Sequence, residues 1–254
     1  MRSWELLVVS GASVVGGGVN AIAGGGTLLT FPALIWLGRD PVLANATNAL
    51  GLLPGTVFGA LGFRAELARS RAWVALLLLP SLAGGIAGAI LLLRTPSSTF
   101  EVVVPWLVLA ATLLLAVQEP LSARLRQREA IRLGPGWKVL AVLFQVGVGV
   151  YGGYFGAGIG ILMLAALGLL GMRDLHQMNG VKNLLAAAIN GIAIVWFIIS
   201  GAVLWNDALI MMVGAGLGGW TAAHLAQRLG RKVVRRAVIT IGLAMAASLA
   251  LRLR

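Results

Sequence analysis

The chain has 254 residues, of which 59% are hydrophobic and 11% charged, and its mean hydropathy is +0.94. Soluble domains are about 45–50% apolar and about 25% charged, so this composition excludes a water-soluble globular protein. The absence of cysteine excludes disulfides, thiolate metal sites and cysteine nucleophiles. The net charge of +12 comes from basic residues in short segments between apolar runs, which is typical of membrane topology rather than of a nucleic-acid groove.

Eight apolar runs follow one another along the chain, covering 4–37, 44–63, 72–94, 101–118, 138–171, 178–200, 205–228 and 233–251. About 20 residues cross the hydrocarbon once, so the first and fifth runs are too long for a single crossing. Arg2, the first run and Ala21-x-Ala23 also outline a cleavable signal peptide. Because that run continues to Leu37, a membrane segment is the favoured interpretation.

Glycines interrupt both long runs. The first run contains three in succession, Gly24, Gly25 and Gly26, and the fifth contains five between 152 and 160. Glycine is costly inside a helix and permits sharp turns. We therefore predict two half-helices in each long run, with the second halves beginning at Thr27 and Ile161. Broken backbone at membrane depth must be buried in protein or line a cavity.

The two halves of the chain resemble each other. At a constant offset of 134, residues 18–50 align with 152–184, and nine of 33 positions are identical. The polar identities are Arg39-Asp40 with Arg173-Asp174 and Asn45 with Asn179. We interpret this as an internal duplication: a first repeat (1–118), a basic cytoplasmic linker (119–137) and a second repeat (138–254).

The distribution of basic residues predicts the topology. If both long runs are re-entrant hairpins, one side carries 14 Lys and Arg residues and the other five; if both cross fully, the split is eleven to eight. The positive-inside rule favours the hairpins. The prediction is an all-α polytopic membrane protein with two inverted repeats, each with one broken hairpin and three transmembrane helices. Both termini are then periplasmic, in a multi-pass protein of the cell inner membrane.

One motif follows the first glycine break. It reads Gly24-Gly25-Gly26-Thr27-Leu28-x-x-x-Pro32-x-Leu34-x-x-x-Gly38-x-x-Pro41-x-x-Ala44-x-Ala46-Thr47. This string resembles the signature of the TauE/SafE sulfite exporter family, also called the toluene-sulfonate uptake permeases. The second half departs from it at Ala166 and Val181, the counterparts of Pro32 and Thr47. The resemblance implies transport of sulfite, sulfonates or related sulfur anions.

The residues near the breaks are suited to an anion. A helix that begins inside the membrane directs unpaired N–H groups and about half a positive charge at its surroundings. Lys182 is the basic residue inside a predicted span. A charged side chain at membrane depth is costly and therefore indicates a functional role. The alternative is that the Lys182 side chain snorkels to the interface. The predicted substrate-binding residues are Gly24, Gly25, Gly26, Thr27, Asn45, Thr47, Asn48, Gly158, Gly160, Asn179, Lys182 and Asn183.

Alternative roles remain open at this stage. The glycines could serve helix packing, and Asn45 and Asn179 could cap the helices that they open. A second set of polar residues either lines the cavity or joins helices by hydrogen bonds: Asn20, Gln145, Tyr151, Tyr154 and Asn190.

The sequence favours a secondary transporter, and export over import, of a small sulfur-containing anion near the membrane midplane. The alternative is an anion channel of the same architecture. No nucleotide-binding glycine loop and no nucleophile–base pair is present, so we predict neither an ATPase nor an enzyme, and no cofactor or metal. The exact anion, coupling to H+ or Na+, and assembly as a homodimer are left open.

Overall fold

The computed structural model describes residues 2–23, 25–61, 64–127, 136–170, 172, 174–229 and 231–252. These residues form helices joined by short turns. The helices are α1 (Ser3–Ala23), α2 (Thr27–Trp36), α3 (Pro41–Leu61), α4 (Arg64–Arg69), α5 (Arg71–Arg94), α6 (Ser97–Gln127), α7 (Trp137–Tyr154), α8 (Ile159–Leu169), α9 (Leu175–Ile199), α10 (Trp205–Leu229) and α11 (Arg231–Arg252). The predicted all-α polytopic fold is confirmed.

Several helices are long and apolar enough to cross a membrane. Within the described ranges, four meet both criteria: Arg71–Arg94, Ser97–Gln118, His176–Ile199 and Val233–Leu251. Two shorter apolar helices, Thr27–Trp36 and Ile159–Gly168, are about half that length. They are the second arms of the two predicted hairpins.

Both long apolar runs are broken at the glycines, but the arms are unequal. α1 has 21 residues and α2 has 10, while α7 has 18 and α8 has 11. At 1.5 Å per residue, the first arms are about 27–32 Å long and the second about 15–17 Å. The prediction of two half-helices was therefore wrong in its proportions. The α8 start was also misplaced, because the chain is helical from Ile159 rather than from Ile161.

Glycines allow α5 and α7 to pack closely. A Cβ at Gly149 would lie 3.0 Å from both Gly84 Cα and the Ser81 carbonyl oxygen. Gly88 lies equally close to Gly153, so the two helices run parallel in a constant register. α1 packs in the same way against α10, where Gly218 lies against the Val14 backbone. Small residues that let backbones approach are typical of helix pairs in membranes.

Gly149 therefore provides a test of this packing, with Gly147 on the same helix as its control. A Cβ at Gly147 would meet open space. We expect Gly149→Leu to lower stability by about 1–3 kcal/mol or more through overpacking, and Gly147→Leu to leave it unchanged or higher. Both substitutions gain the same helix propensity. Thermal unfolding in detergent measures the difference, and equal melting temperatures for the two variants would contradict the packing.

Helices equivalent under the 134-residue offset make equivalent contacts. The pair α1–α10 corresponds to α7–α5, and α3–α10 corresponds to α9–α5. Exchanging the two halves of the chain maps the pair α3–α9 onto itself, and it does the same for the pair α6–α11. Such a pairing is expected of two repeats related by an internal two-fold axis.

Contacts between helix ends group the turns at two opposite ends of the molecule. At one end, Arg39 donates to Asp207 at 2.8 Å and to Glu5 at 3.0 Å, which joins the α2–α3 turn to the starts of α10 and α1. Hydrogen bonding to Asp207 raises the pKa of Arg39 above its ordinary value. At the other end, Ser70 contacts Gln177, which joins the α4–α5 turn to the start of α9.

The predicted linker at 119–137 is partly helical. α6 continues to Gln127, so its last nine residues extend beyond the apolar window that ends at Gln118. Residues 128–135 lie outside the described chain.

Candidate functional site

A first polar cluster joins the start of α2 to α3. Asn48 of α3 donates to Thr27 Oγ1 at 3.4 Å, and its amide oxygen accepts from the Thr30 hydroxyl. Asn48 and Thr30 are 2% and 1% exposed. The two threonines lie one turn apart on α2, so both hydroxyls face the same side of the helix. This first cluster is Thr27, Thr30 and Asn48.

A second polar cluster occupies the equivalent place between α8 and α9. The aliphatic stem of Lys182 lies against Gly160, where an added Cβ would be 3.1 Å from Lys182 Cδ. Lys182 Nζ donates to Asn179 Oδ1 at 3.1 Å, one turn earlier on α9. Gly160, Asn179 and Lys182 form this second cluster, with Asn183 half-buried on the same helix. The two clusters differ in charge because Lys182 replaces Asn48, and the second cluster lacks a hydroxyl at Ile161, which replaces Thr27.

Asn45 links the first repeat to the second glycine break. Its side-chain amide donates to the Tyr154 carbonyl oxygen at 2.9 Å, where α7 ends, and Asn45 is 3% exposed. The sequence does not predict this contact, because it depends on the packing of α3 against α9 and the second repeat, which no local pattern encodes.

The asparagines do not cap α3 and α9; aspartates do. Asp40 accepts from the Val42 and Leu43 N–H groups at 2.9 and 3.0 Å. Its duplicate Asp174 accepts from the N–H groups of residues 176 and 177 at 2.8 and 3.3 Å. The capping interpretation of Asn45 and Asn179 is therefore wrong, and both amides lie one turn or more inside their helices.

The glycines at the breaks have distinct structural roles. Gly26 precedes α2 and lies against α1, where an added Cβ would be 2.9 Å from Asn20 Cβ. Gly25 is buried against Leu115 and Val238, and Gly24 lies outside the described residues. Gly158 precedes α8 with φ of +76°, a conformation that favours glycine. Neither α2 nor α8 has a side-chain cap at its first turn.

Thr47 is committed to a structural contact. Its hydroxyl oxygen accepts from the Leu204 N–H at 2.9 Å, and Thr47 is fully buried. This bond attaches the α9–α10 turn to α3. Its duplicate position is Val181, which has no hydroxyl.

The second set of predicted polar residues forms contacts between helices or within the breaks. Tyr151 donates to the Ala157 carbonyl oxygen at 2.6 Å and so closes the second break. The Tyr154 hydroxyl lies 3.5 Å from Thr95 Oγ1, and Gln145 donates to Ser81 Oγ at 2.8 Å. Asn20 is half-buried beside Gly26 and Gly55, and Asn190 is half-buried beside Gly156.

The sequence analysis missed Thr30 and Ser81. Thr30 has one detectable signal, since it follows Thr27 by three residues and therefore shares its helix face. Ser81 gave none, because a single serine in an apolar run is ordinary and its partner Gln145 is 64 residues away.

A cavity of about 340 Å³ opens elsewhere, at the α2–α3 turn. Its described lining comprises Ile35, Gly38, Arg39, Asp40, Pro41, Glu101, Val104 and Leu249. None of these is a predicted site residue. With two carboxylates and one ion-paired guanidinium, this lining is poorly suited to an anion.

Interrupted apolar helices with buried polar groups at their starts are characteristic of polytopic membrane transporters. The chain belongs to the TauE/SafE sulfite exporter family, whose model, described as "Sulfite exporter TauE/SafE", matches residues 9–249. The resemblance inferred from the glycine motif is thereby confirmed.

Three relatives carry transporter names. A "Probable membrane transporter protein" of Haemophilus influenzae is 29% identical over 91% of this chain and 89% of its own length. "Probable membrane transporter protein YfcA" of Escherichia coli K12 is 29% identical over 93% of this chain and 86% of its own. "Probable membrane transporter protein ORF9" of a Sinorhizobium species is 28% identical, over 92% and 88%. No solved structure matches the chain.

Proposed function

We propose that the protein is a secondary transporter that exports a small sulfur-containing anion, such as sulfite or a short organosulfonate, across the cell inner membrane. The anion binds between the repeats near the membrane midplane. The substrate class and the direction rest on membership of a family described as sulfite exporters. The residues of the second cluster supply the positive charge and the hydrogen-bond donors that bind the anion.

The observation that carries the proposal is the position of Lys182. It is the eighth residue of α9, about 10 Å along the helix from its start. Its stem lies level with Gly160 at the beginning of α8, on the far side of that short apolar helix from the α8–α9 turn. This depth favours a cavity-facing ammonium over a snorkelling side chain, which would reach the interface.

The surroundings of Lys182 are suited to an oxyanion. The first turn of α8 has no side-chain cap, and the Ile159 and Ile161 N–H groups donate to the Gly156 and Gly158 carbonyl oxygens. The positive end of the α8 dipole attracts negative charge beside the ammonium. The Asn179 amide group can also donate hydrogen bonds to the same anion. One full positive charge offsets part of the cost of desolvating an oxyanion such as sulfite or a sulfonate.

Flux measurements in proteoliposomes test the proposal. We expect saturable uptake of sulfite or a short sulfonate, counterflow, and a response to an imposed H+ or Na+ gradient. Competition by thiosulfate and sulfate would define the selectivity. Non-saturating conductance without counterflow would favour the anion channel, and no flux of any sulfur anion would overturn the proposal.

The topology is part of the proposal. We place both termini in the periplasm and the segment that joins α6 to α7 in the cytoplasm, with the two repeats inverted. Two facts support this arrangement: the asymmetry of 14 basic residues against five, and the contacts that place Glu5, Arg39 and Asp207 at one end.

Cysteine labelling checks the topology directly, because the native chain has no cysteine. We expect Ser3→Cys to react with a membrane-impermeant thiol reagent in intact cells, and Ser122→Cys to react only after the cells are opened. The reverse pattern would contradict the proposed orientation.

A further inference from the structure

Exposed cations surround an aromatic pair where α5 and α7 begin. The rings of Trp73 and Trp137 have centroids 5.7 Å apart, and Lys138 Nζ lies 6.0 Å from the Trp137 ring centroid. Arg69 ends α4, Arg71 begins α5, and both are exposed, as is Lys138. We call Arg69, Arg71, Trp73, Trp137 and Lys138 the basic aromatic patch.

The packing of α5 against α7 holds the patch together. The parallel register through Gly84 and Gly149 brings the starts of the two helices side by side. Hydrogen bonding between Ser70 and Gln177 fixes the α4–α5 turn against α9. The patch is therefore a property of the fold rather than a chance grouping of mobile side chains.

Two carboxylates occur on the adjoining elements. Glu66 of α4 is half-buried, and Asp174 is engaged with the N–H groups that begin α9. The three cations of the patch are exposed, so they outnumber the carboxylates and present their charge to the surroundings.

An apolar surface continues from the patch along α7. Val139, Leu140 and Leu143 are 64%, 67% and 64% exposed, and Phe144 is 44% exposed. Tryptophan rings in membrane proteins lie at the headgroup level, with apolar side chains below them in contact with acyl chains. A ligand that fits both parts has an anionic head and an apolar tail.

We infer that the basic aromatic patch binds the headgroup of an anionic phospholipid, with an acyl chain along the exposed face of α7. Phosphatidylglycerol is the probe of choice because it carries one phosphate charge and no compensating amine. A soluble phosphate would use the cations but not the apolar face, so the lipid is the expected occupant. This inference does not depend on the transported substrate.

Matched double variants test the inference. The patch double variant, Arg71→Gln with Lys138→Gln, removes two cations of the patch. The control double variant, Arg2→Gln with Arg94→Gln, removes two exposed cations that lie at the start of α1 and at the end of α5. The purified full-length proteins are placed in nanodiscs of phosphatidylcholine with phosphatidylglycerol. Native mass spectrometry then counts the lipids that each protein retains.

We expect the wild type and the control double variant to retain phosphatidylglycerol in preference to phosphatidylcholine. The patch double variant should lose this preference by about tenfold or more, since each cation near an anionic surface contributes about fivefold. Raised salt should weaken the preference of the wild type. Equal retention by the two double variants, or no preference in the wild type, would overturn the inference.

Discussion

Replacing Lys182 with methionine is expected to weaken the apparent affinity for the transported anion by about tenfold or more. A hydrogen bond to a charged group contributes roughly 1.5–3 kcal/mol, which corresponds to that factor. Methionine keeps the length and the apolar character of the stem, so the contact with Gly160 is preserved. The concentration dependence of initial flux in proteoliposomes measures the change.

Two comparisons make the Lys182 result specific. Lys182→Arg retains the positive charge and should keep part of the affinity, although the larger guanidinium must fit beside Gly160. Arg94→Met removes an exposed cation outside both the site and the basic aromatic patch and should leave the apparent affinity unchanged. If Lys182→Met folds, inserts and transports with wild-type affinity, Lys182 does not bind the anion.

Replacing Asn45 with aspartate is expected to abolish or strongly reduce transport. The substitution removes the donor to the Tyr154 carbonyl and places an anionic oxygen against that carbonyl instead. A buried acceptor left unpaired costs about 1–3 kcal/mol, and a buried carboxylate without a partner costs more. Because Tyr154 ends α7, the second break loses this hydrogen bond to the first repeat.

The control for Asn45 is Asn206, an exposed asparagine at the start of α10. Asn206→Asp makes the same chemical change in water and should transport normally. Asn45→Leu also removes the donor without adding charge, so we expect it to impair flux and lower thermal stability less than Asn45→Asp. Normal flux in Asn45→Asp would show that the contact with the second break is dispensable.

The parts of the fold predicted from the sequence are those that local composition determines. Clustered glycines lower helix propensity, so both breaks were predicted near the correct residues. The cluster alone is not sufficient, because Gly16-Gly17-Gly18 continues inside α1. The lengths of the arms were not predicted, because Gly149 and Gly153 of α7 look like breakers but pack against α5 as part of a continuous helix. Whether a glycine bends or packs depends on its neighbour in space.

In the candidate site, too, the sequence predicted the features that follow from the duplication but not the contacts between the repeats. The duplication paired Asn48 with Lys182, and the structure places both at equivalent positions beside α2 and α8. The duplication gave no information about contacts between the repeats, such as the bond from Asn45 to the end of α7. Those contacts join residues 109 apart in the chain, and a single sequence carries no signal for them.

The exchange of partners between the halves bears on how the protein arose. α1 packs against α10 and α5 packs against α7, so the opening helix of each half uses a glycine-lined surface supplied by the other half. A half-length ancestor would have left that surface bare as a monomer and covered it only by intertwining with a second copy. Under the duplication hypothesis, gene fusion would join such a homodimer into one polypeptide and free equivalent positions to diverge. The asparagine at 48 and the lysine at 182 differ at one such pair of positions.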